Sequence, residues 1–114
     1  MKRNTAQLKE QLIQTGIDEI GKHGIEQLSL RTVAKACGVT HGSPYRHFES
    51  KEGYLKVVLA QLSLFLNQEI NENIDATGSA RDQLTRLGLN FIIFAKTYPH
   101  FFEALFIKFP FKYM

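Results

Sequence analysis

The sequence predicts an all-α protein with a three-helix helix-turn-helix unit, a long connector helix and part of a further helical bundle. Apolar residues recur at helical spacing along most of the chain, and no segment alternates with the two-residue period of a strand. Residues 28–52 read as a short helix, a glycine turn, a second short helix and the start of another, which is the order of a helix-turn-helix. We expect the boundaries of these units to define residues 1–50, 51–76 and 77–114.

The first helix is predicted over residues 5–22, because its apolar residues repeat with the period of one helix face. These residues are Leu8, Leu12, Ile13, Ile17 and Ile20. Gly24 is expected to end the helix. Gly16 and Gly21 lie inside it and cost about 1 kcal/mol each relative to alanine, so we expect another helix to pack closely against them.

The second helix is predicted to begin after Ser29, whose hydroxyl can accept a hydrogen bond from the first turn. Its buried stripe would consist of Leu30, Val33, Ala34 and Cys37, spaced i, i+3, i+4 and i+7. Gly38 then permits the positive φ that a sharp turn between two helices requires. The small side chain of Ala34 lets those helices cross at close range.

The third helix is expected to be capped by Thr40, although Pro44 leaves its first residue open because proline is best tolerated in the first turn. Pro44 and Phe48 would face inward. The residues predicted to face outward are His41, Ser43, Tyr45, Arg46 and His47. This short helix therefore presents mostly polar and charged side chains.

The fourth helix is predicted from the Ser50 cap to about Asn73, since its leucine, valine and phenylalanine residues keep helical spacing over that length. It is long enough to connect two domains. The polar residues 73–79 form the predicted loop, and Ser79 caps a fifth helix that ends before Pro99.

Positive charge is concentrated in the first half of the chain. The 114 residues have a formal net charge of +3, and residues 1–56 contain nine Lys and Arg against six acidic residues, whereas the two signs balance in the remainder. An excess on the helix-turn-helix side favours a polyanionic partner such as nucleic acid. Taken alone, so small an excess is equally compatible with an ordinary solvated surface.

The sequence lacks the residue patterns that disulfide-bonded proteins, metal sites and common enzyme active sites require. The single Cys37 excludes an internal disulfide or a multi-cysteine zinc site and is expected to be a small core residue. The four histidines lack the i, i+4 spacing of a helical metal site, and no nucleophile–base pair or phosphate-binding glycine loop is present. With no secretion signal or apolar run of membrane length, we expect a cytoplasmic, non-membrane, non-enzymatic protein without a cofactor.

A recognition helix needs exposed hydrogen-bonding side chains flanked by groups that hold phosphates. Arg46 and His41 can reach base edges or phosphates, and Gly42 allows a close approach of the backbone. Ser43 suits small polar contacts, and phosphate contacts are expected from Tyr45, His47 and Lys51, the last of which lies at the N-terminus of the fourth helix. The alternative is that these are solvated charges on a small helical bundle.

Aromatic residues dominate the C-terminal part, with nine of them among residues 91–113. This is more than a short chain can easily bury, so we expect a partner chain or sequence beyond Met114 to cover them. Such a stretch is more often core than a ligand site, but aromatic-lined cavities between helices do bind apolar ligands, and the residues that would line such a site are Phe65, Phe91, Phe94, Phe102 and Phe106. Two other functions stay open. One is a ligand-binding or protein-interaction module that uses the aromatic segment and does not bind DNA, and the other is a small helical enzyme.

Residues 5–59 resemble the N-terminal domain of the TetR family of bacterial transcriptional regulators, in the elements KHGIEQLSLRTVAKACGVTHGSPYRHFESKEGYLKVVL. The resemblance implies a three-helix DNA-binding domain, a connector helix and a C-terminal domain that binds a ligand and dimerises. By position, Arg31 and Thr32 would begin the supporting helix and Lys51 would be the phosphate-binding lysine. The recognition helix would comprise Thr40, His41, Gly42, Ser43, Pro44, Tyr45, Arg46 and His47.

The resemblance also implies a mechanism. Two copies of the full-length protein would form a homodimer on a palindromic operator in double-stranded DNA, most often as a repressor. A small apolar effector bound between later helices would tilt the connector and pull the two recognition helices out of register. The helices that form the family's dimer interface would then lie beyond Met114.

Overall fold

The computed structural model describes residues 4–108, which are helical throughout apart from turns and contain no strand. The elements are α1 (Thr5–His23), a 3-10 turn (Ile25–Gln27), α2 (Leu30–Ala36), α3 (Ser43–Phe48), α4 (Lys51–Ile70), α5 (Ala80–Thr97), α6 (Pro99–Glu103) and a π-helical turn (Ala104–Lys108). The predicted all-α class is confirmed. Phe109, Phe111 and Tyr113, which belong to the predicted aromatic stretch, lie outside the described residues.

Helix α1 begins and ends with its own local signals. Asn4 and Gln7 form a reciprocal capping box, in which each side chain accepts a hydrogen bond from the other residue's backbone N–H. At the other end Gly24 adopts φ 88°, and its N–H donates to the carbonyl of Ile20 at 2.8 Å. The prediction that Gly24 ends this helix is confirmed, because few other residues adopt such a φ without strain.

One hydrophobic core joins α1, α2, α3 and the first three turns of α4. Its buried members are Leu12, Ile20, Leu28, Leu30, Val33, Phe48, Tyr54, Leu55, Val58, Leu59, Leu62 and Ala104. Ala104 comes from the π-helical turn at the far end of the chain, so this core also includes the segment that follows α5. Phe101 of α6 packs on α1, where a Cβ added to Gly21 would lie 3.2 Å from its ring. Close packing at Gly21 is thus confirmed.

Helix α4 ends at Ile70, about one turn before the predicted end near Asn73. A side chain of α5 terminates it: Asn90 Nδ2 donates to the carbonyls of Ile70 at 2.9 Å and Glu72 at 2.7 Å. Asn73 has φ 59°, a left-handed conformation that a continuing helix cannot include. The predicted loop 73–79 and the Ser79 cap are confirmed, since Ser79 Oγ accepts from the Asp82 N–H at 3.1 Å.

Helix α5 pairs with α4 but buries little of its surface. Phe94 is its one buried residue. Four large aliphatic side chains of this helix are between 47% and 69% exposed: Leu84, Leu89, Ile92 and Ile93. Leu64 on α4 and Ile107 in the π-helical turn are exposed as well. Large apolar side chains of α4, α5 and the π-helical turn are therefore exposed within the described chain.

Candidate nucleic-acid interface

The turn between α2 and α3 is closed by a Schellman motif. The N–H of Gly38 donates to the carbonyl of Lys35 at 3.1 Å, and that of Val39 donates to the carbonyl of Ala34 at 3.0 Å. Gly38 has φ 71°, as this motif requires of the residue after the cap. At the start of α2, Ser29 Oγ accepts from the Thr32 N–H. Both sequence-based predictions for this helix-turn-helix element are therefore confirmed.

The third helix starts later than its predicted cap. Thr40, His41 and Gly42 form a turn in which the Ser43 N–H donates to the Thr40 carbonyl at 3.0 Å, and α3 begins at Ser43. The prediction that Thr40 caps this helix is wrong. Pro44 gives the physical reason, because a residue without an N–H fits the first turn of a helix but would interrupt a longer one.

The orientation of the α3 side chains follows from this later start. Tyr45 is 47% exposed and Arg46 is exposed, as predicted, whereas His47 is half-buried. Ser43 is buried, so the prediction that it faces outward is wrong. Ser43 lies one turn before His47 on the side of α3 that packs against the core, next to buried Pro44. Thr40, His41 and Gly42 are exposed, but in the turn that precedes α3.

A tight junction joins the end of α3 to the start of α4. Glu49 adopts φ 67°, and the Ser50 N–H donates to the Phe48 carbonyl at 2.7 Å. Ser50 Oγ caps α4 by accepting from the Gly53 N–H at 3.0 Å, as predicted. A Cβ on Gly53 would overlap the Phe48 carbonyl oxygen, so glycine is required for this close approach. Lys51, the first residue of α4, is thereby held directly after the short helix.

The cations around this junction are free of ion pairs within residues 4–108. Arg46 and Lys51 are exposed, as are Arg31 and Thr32 in the first turn of α2. The ion pairs of the described residues involve other groups: His23 with Glu19, and Lys108 with both Glu26 and Glu103. The charges of Arg31, Arg46 and Lys51 are consequently available to a partner.

Tyr54 is the residue of this region that the sequence analysis missed. It is wholly buried on α4, its hydroxyl donates to the Leu12 carbonyl of α1 at 2.5 Å, and its ring contacts Phe48 at the end of α3. Burial raises the pKa of Tyr54 far above its ordinary value, and the nearby Cys37 adds to this effect. The signal available in the sequence was Gly16, which the structure pairs with this tyrosine.

The aromatic residues predicted to line a ligand site do not form one group. Phe65 and Phe94 lie 6.0 Å apart in a cluster with Tyr98 and Phe101, in which Phe94 is fully packed. The other three make a separate cluster, with ring centroids at 5.1 to 5.9 Å: Phe91, Phe102 and Phe106. In the part of the chain that the structure describes, no His, Cys, Asp and Glu side chains cluster as metal ligands.

The described helices also give no candidate for a membrane span, since none is both long and apolar enough.

A glycine turn between two short helices, with an exposed and positively charged second helix, defines a helix-turn-helix protein. Residues 12–58 match the family described as bacterial regulatory proteins, tetR family. This stretch runs from the middle of α1 to Val58 of α4. Over these residues the chain is similar to the bacterial regulatory proteins of the tetR family.

Two curated relatives illustrate the similarity. The "Probable acrEF/envCD operon repressor" of Escherichia coli is 36% identical over 50 residues, which are 44% of this chain and 23% of that protein. The HTH-type transcriptional repressor KstR2 of Mycolicibacterium smegmatis is 28% identical over 82 residues, 72% of this chain and 40% of that protein. The matched stretches thus cover less than half the length of these relatives.

Proposed function

We propose that this chain carries the DNA-binding part of a transcriptional regulator, with α3 as the recognition helix. The observation that carries the proposal is a helix-turn-helix whose second helix and following junction expose Arg46 and Lys51 without an ion pair in the described structure. Guanidinium and ammonium groups bind phosphates and base edges of duplex DNA. The names of both relatives contain the word repressor, which supports repression as the direction of control.

The contacts divide into those that position the protein and those that read sequence. Lys51 would bind a phosphate together with the free N–H groups in the first turn of α4, because a helix N-terminus attracts anions. The side chains that would bind the DNA backbone on either side are Arg31, Thr32, Tyr45 and His47. Arg46 and the turn residues Thr40, His41 and Gly42 would approach the base edges. Ser43 and Pro44, being buried, would support α3 from within.

The wider regulatory scheme is also part of this proposal. In it, residues 1–50 form the DNA-binding domain, residues 51–76 the connector, and residues 77–114 the beginning of a domain that binds a small apolar effector and dimerises. Two copies in the cytoplasm would occupy a palindromic operator, without any catalytic activity. The effector would release the operator only if it prefers the conformation in which the two α3 helices no longer fit the operator. That preference would have to be about 5 kcal/mol of binding free energy.

The test measures DNA affinity of the Lys51→Ala variant over a range of salt concentrations. Loss of one phosphate contact should weaken binding to all sequences and lower the slope of log K against log salt by about 1. Lys96→Ala, which removes an exposed lysine from α5, is the matched control and should leave the slope unchanged. An unchanged slope for Lys51→Ala would reject its phosphate role.

A second measurement separates sequence reading from positioning. The wild-type chain is used to select duplexes from a random pool, and the selection is repeated with Arg46→Ala and His41→Ala. A contact to a base edge should relax the selected sequence at one position, at a cost of about 1–3 kcal/mol for the preferred base. Equal loss of affinity on every duplex would assign these side chains to the backbone instead.

A protein-interaction module is the second candidate function, favoured by the exposed aliphatic residues of α5. It predicts that no duplex binds at either low or moderate salt concentration. A mobility-shift assay with genomic fragments at two salt concentrations distinguishes the two candidates directly.

A further inference from the structure

Tyr54 connects three helices although it belongs to one of them. It lies in the second turn of α4, four residues after the Ser50 cap, and is 0% exposed. Its hydroxyl donates to the Leu12 carbonyl in the middle of α1, forty-two residues earlier in the chain. Its ring meets the ring of Phe48, the last residue of α3, edge to face with centroids 5.0 Å apart.

Helix α1 is shaped to receive this hydroxyl. Gly16 is buried, and a Cβ at that position would overlap the Tyr54 oxygen and lie 2.9 Å from its Cζ atom. The hydroxyl therefore enters α1 between the Leu12 carbonyl and the Gly16 backbone. A glycine in the interior of a helix lowers stability by about 1 kcal/mol relative to alanine, and here the close approach of Tyr54 accounts for it.

The phenolic oxygen is not needed to fill the core. A phenylalanine would supply the same ring to Phe48 without the desolvation cost of a buried hydroxyl. What the oxygen adds is direction, because a hydrogen bond to one particular carbonyl fixes the position of the α4 turn along α1. In the same part of α4, Gly53 packs against the Phe48 carbonyl, and Lys51 is the first residue of the helix. The position of this turn on α1 therefore also determines the positions of α3 and Lys51.

We propose that Tyr54 is a positioning residue for DNA binding, whose hydroxyl holds α3 and the Lys51 end of α4 at a fixed place on α1. The proposal rests on the proposed function of α3 as the recognition helix. Tyr54 itself is buried and touches no DNA. It acts through Phe48, with which it shares an aromatic contact, and through the α4 turn that it anchors.

The first experiment compares Tyr54→Phe with the wild-type chain at a temperature where circular dichroism shows both to be fully folded. The probe is a duplex that the wild type selects from a random pool. If the hydrogen bond to Leu12 serves wholly to hold α3 in its binding position, its loss lowers DNA affinity by up to about fivefold, the factor that corresponds to an ordinary hydrogen bond. Tyr98→Phe is the matched control, because Tyr98 packs in the Phe65 cluster and makes no hydrogen bond through its hydroxyl within residues 4–108.

A readout without DNA accompanies this measurement. Amide chemical shifts of residues 43–48 are expected to move in Tyr54→Phe and to stay in place in Tyr98→Phe. A purely stabilising role would leave both the shifts and the affinity of the folded protein unchanged, and that result would overturn the proposal. If the wild type binds no duplex, the proposed function fails, whereas the shifts still test the geometry.

The second experiment is a compensating pair. Gly16→Ala forces Tyr54 off α1 and should lower affinity more than Tyr54→Phe does, because its Cβ overlaps the hydroxyl. Adding Tyr54→Phe removes the overlapping oxygen and should recover part of the loss. A double variant weaker than Gly16→Ala alone would contradict the proposal. If Gly16→Ala does not fold but the double variant does, the result supports the contact between Gly16 and the Tyr54 hydroxyl. If neither folds, the affinity and chemical shifts of Tyr54→Phe decide whether the proposal holds.

Discussion

The N-terminal core and α5 are both built from amphipathic helices, yet they bury their apolar side chains to very different extents. Leu12, Ile20 and Val58 are 0% exposed, whereas Leu84 and Ile92 of α5 are 69% and 55% exposed. The difference shows that helical periodicity identifies an apolar face but not whether a partner covers it. Helices α1 to α4 enclose each other, whereas α5 packs against α4 and, through Phe91, against Phe102 and Phe106, and leaves its remaining surface exposed within the described chain.

The division between these regions does not follow the order of the sequence. Residues 99–108 come after α5 but pack with the N-terminal core, where Ala104 is fully buried and Phe101 lies on Gly21. His100 approaches Gly24 in the same way, 3.2 Å from where a Cβ would be. The N-terminal core therefore includes the segment beyond α5, which contacts α1 directly.

Replacing one leucine by alanine in each region should give the largest difference in the free energy of unfolding. Leu12→Ala creates a cavity in the core and is expected to lower the free energy of unfolding by about 3 kcal/mol. Leu84→Ala, at an exposed position, should change it by less than about 0.5 kcal/mol. Urea denaturation followed by circular dichroism measures both. Equal losses would mean that the exposed face of α5 is covered in solution.

Alanine at two helical glycines should give effects of opposite sign. Gly53→Ala meets the backbone carbonyl of Phe48, which cannot move cheaply, and should destabilise by about 2 kcal/mol. Gly88→Ala in α5 has no atom within 4 Å of its new Cβ and should stabilise by about 0.5–1 kcal/mol. Thermal unfolding of both variants decides between these signs. Destabilisation by Gly88→Ala would indicate close packing on α5.

The two serine caps should differ in how far their loss spreads. Ser50→Ala removes the hydrogen bond to the Gly53 N–H and should lower global stability by about 1 kcal/mol. Ser79→Ala removes the equivalent bond to Asp82, but α5 contributes little to the core. There we expect faster amide hydrogen exchange in the first turn of α5 with the global unfolding midpoint unchanged. A lower midpoint would show that α5 unfolds together with the core.

The smallest effect is expected at high pH. Because the pKa of Tyr54 is raised in the folded protein, the folded state favours the neutral phenol. The contribution of the Tyr54 hydroxyl to the free energy of unfolding is complete below the ordinary tyrosine pKa near 10 and is lost as the pH rises above that value. Half a pH unit above it, the loss is less than about 1 kcal/mol. Tyr54→Phe should lack this part of the decrease. Identical alkaline stability profiles for the two proteins would contradict the raised pKa.

Features set by local chemistry were predictable. The caps Ser29, Ser50 and Ser79 and the glycine ends at Gly24 and Gly38 depend on hydrogen bonds within a few residues, and all five were assigned from the sequence. The start of α3 was the exception. Thr40 looked like a cap, but Pro44 moved the helix start to Ser43 and turned that serine inward.

Features set by contacts between distant residues were not predictable. The sequence assigned no role to Tyr54, because its partner Leu12 lies forty-two residues away. The aromatic residues predicted as one ligand site separate into two clusters, because α5 and α6 present them on different sides. Spacing along a helix gives the face of a side chain but not the neighbour it meets.

The amino-acid order by itself determined the helices, their ends and the glycine turn, since hydrogen bonds and φ preferences act within one or two turns of the chain. Only the tertiary structure decided which apolar faces are covered, and that Gly16 receives the hydroxyl of Tyr54 while Gly21 receives the ring of Phe101. These choices depend on how whole helices fit against each other, and that fit is a property of packed volume rather than of sequence spacing.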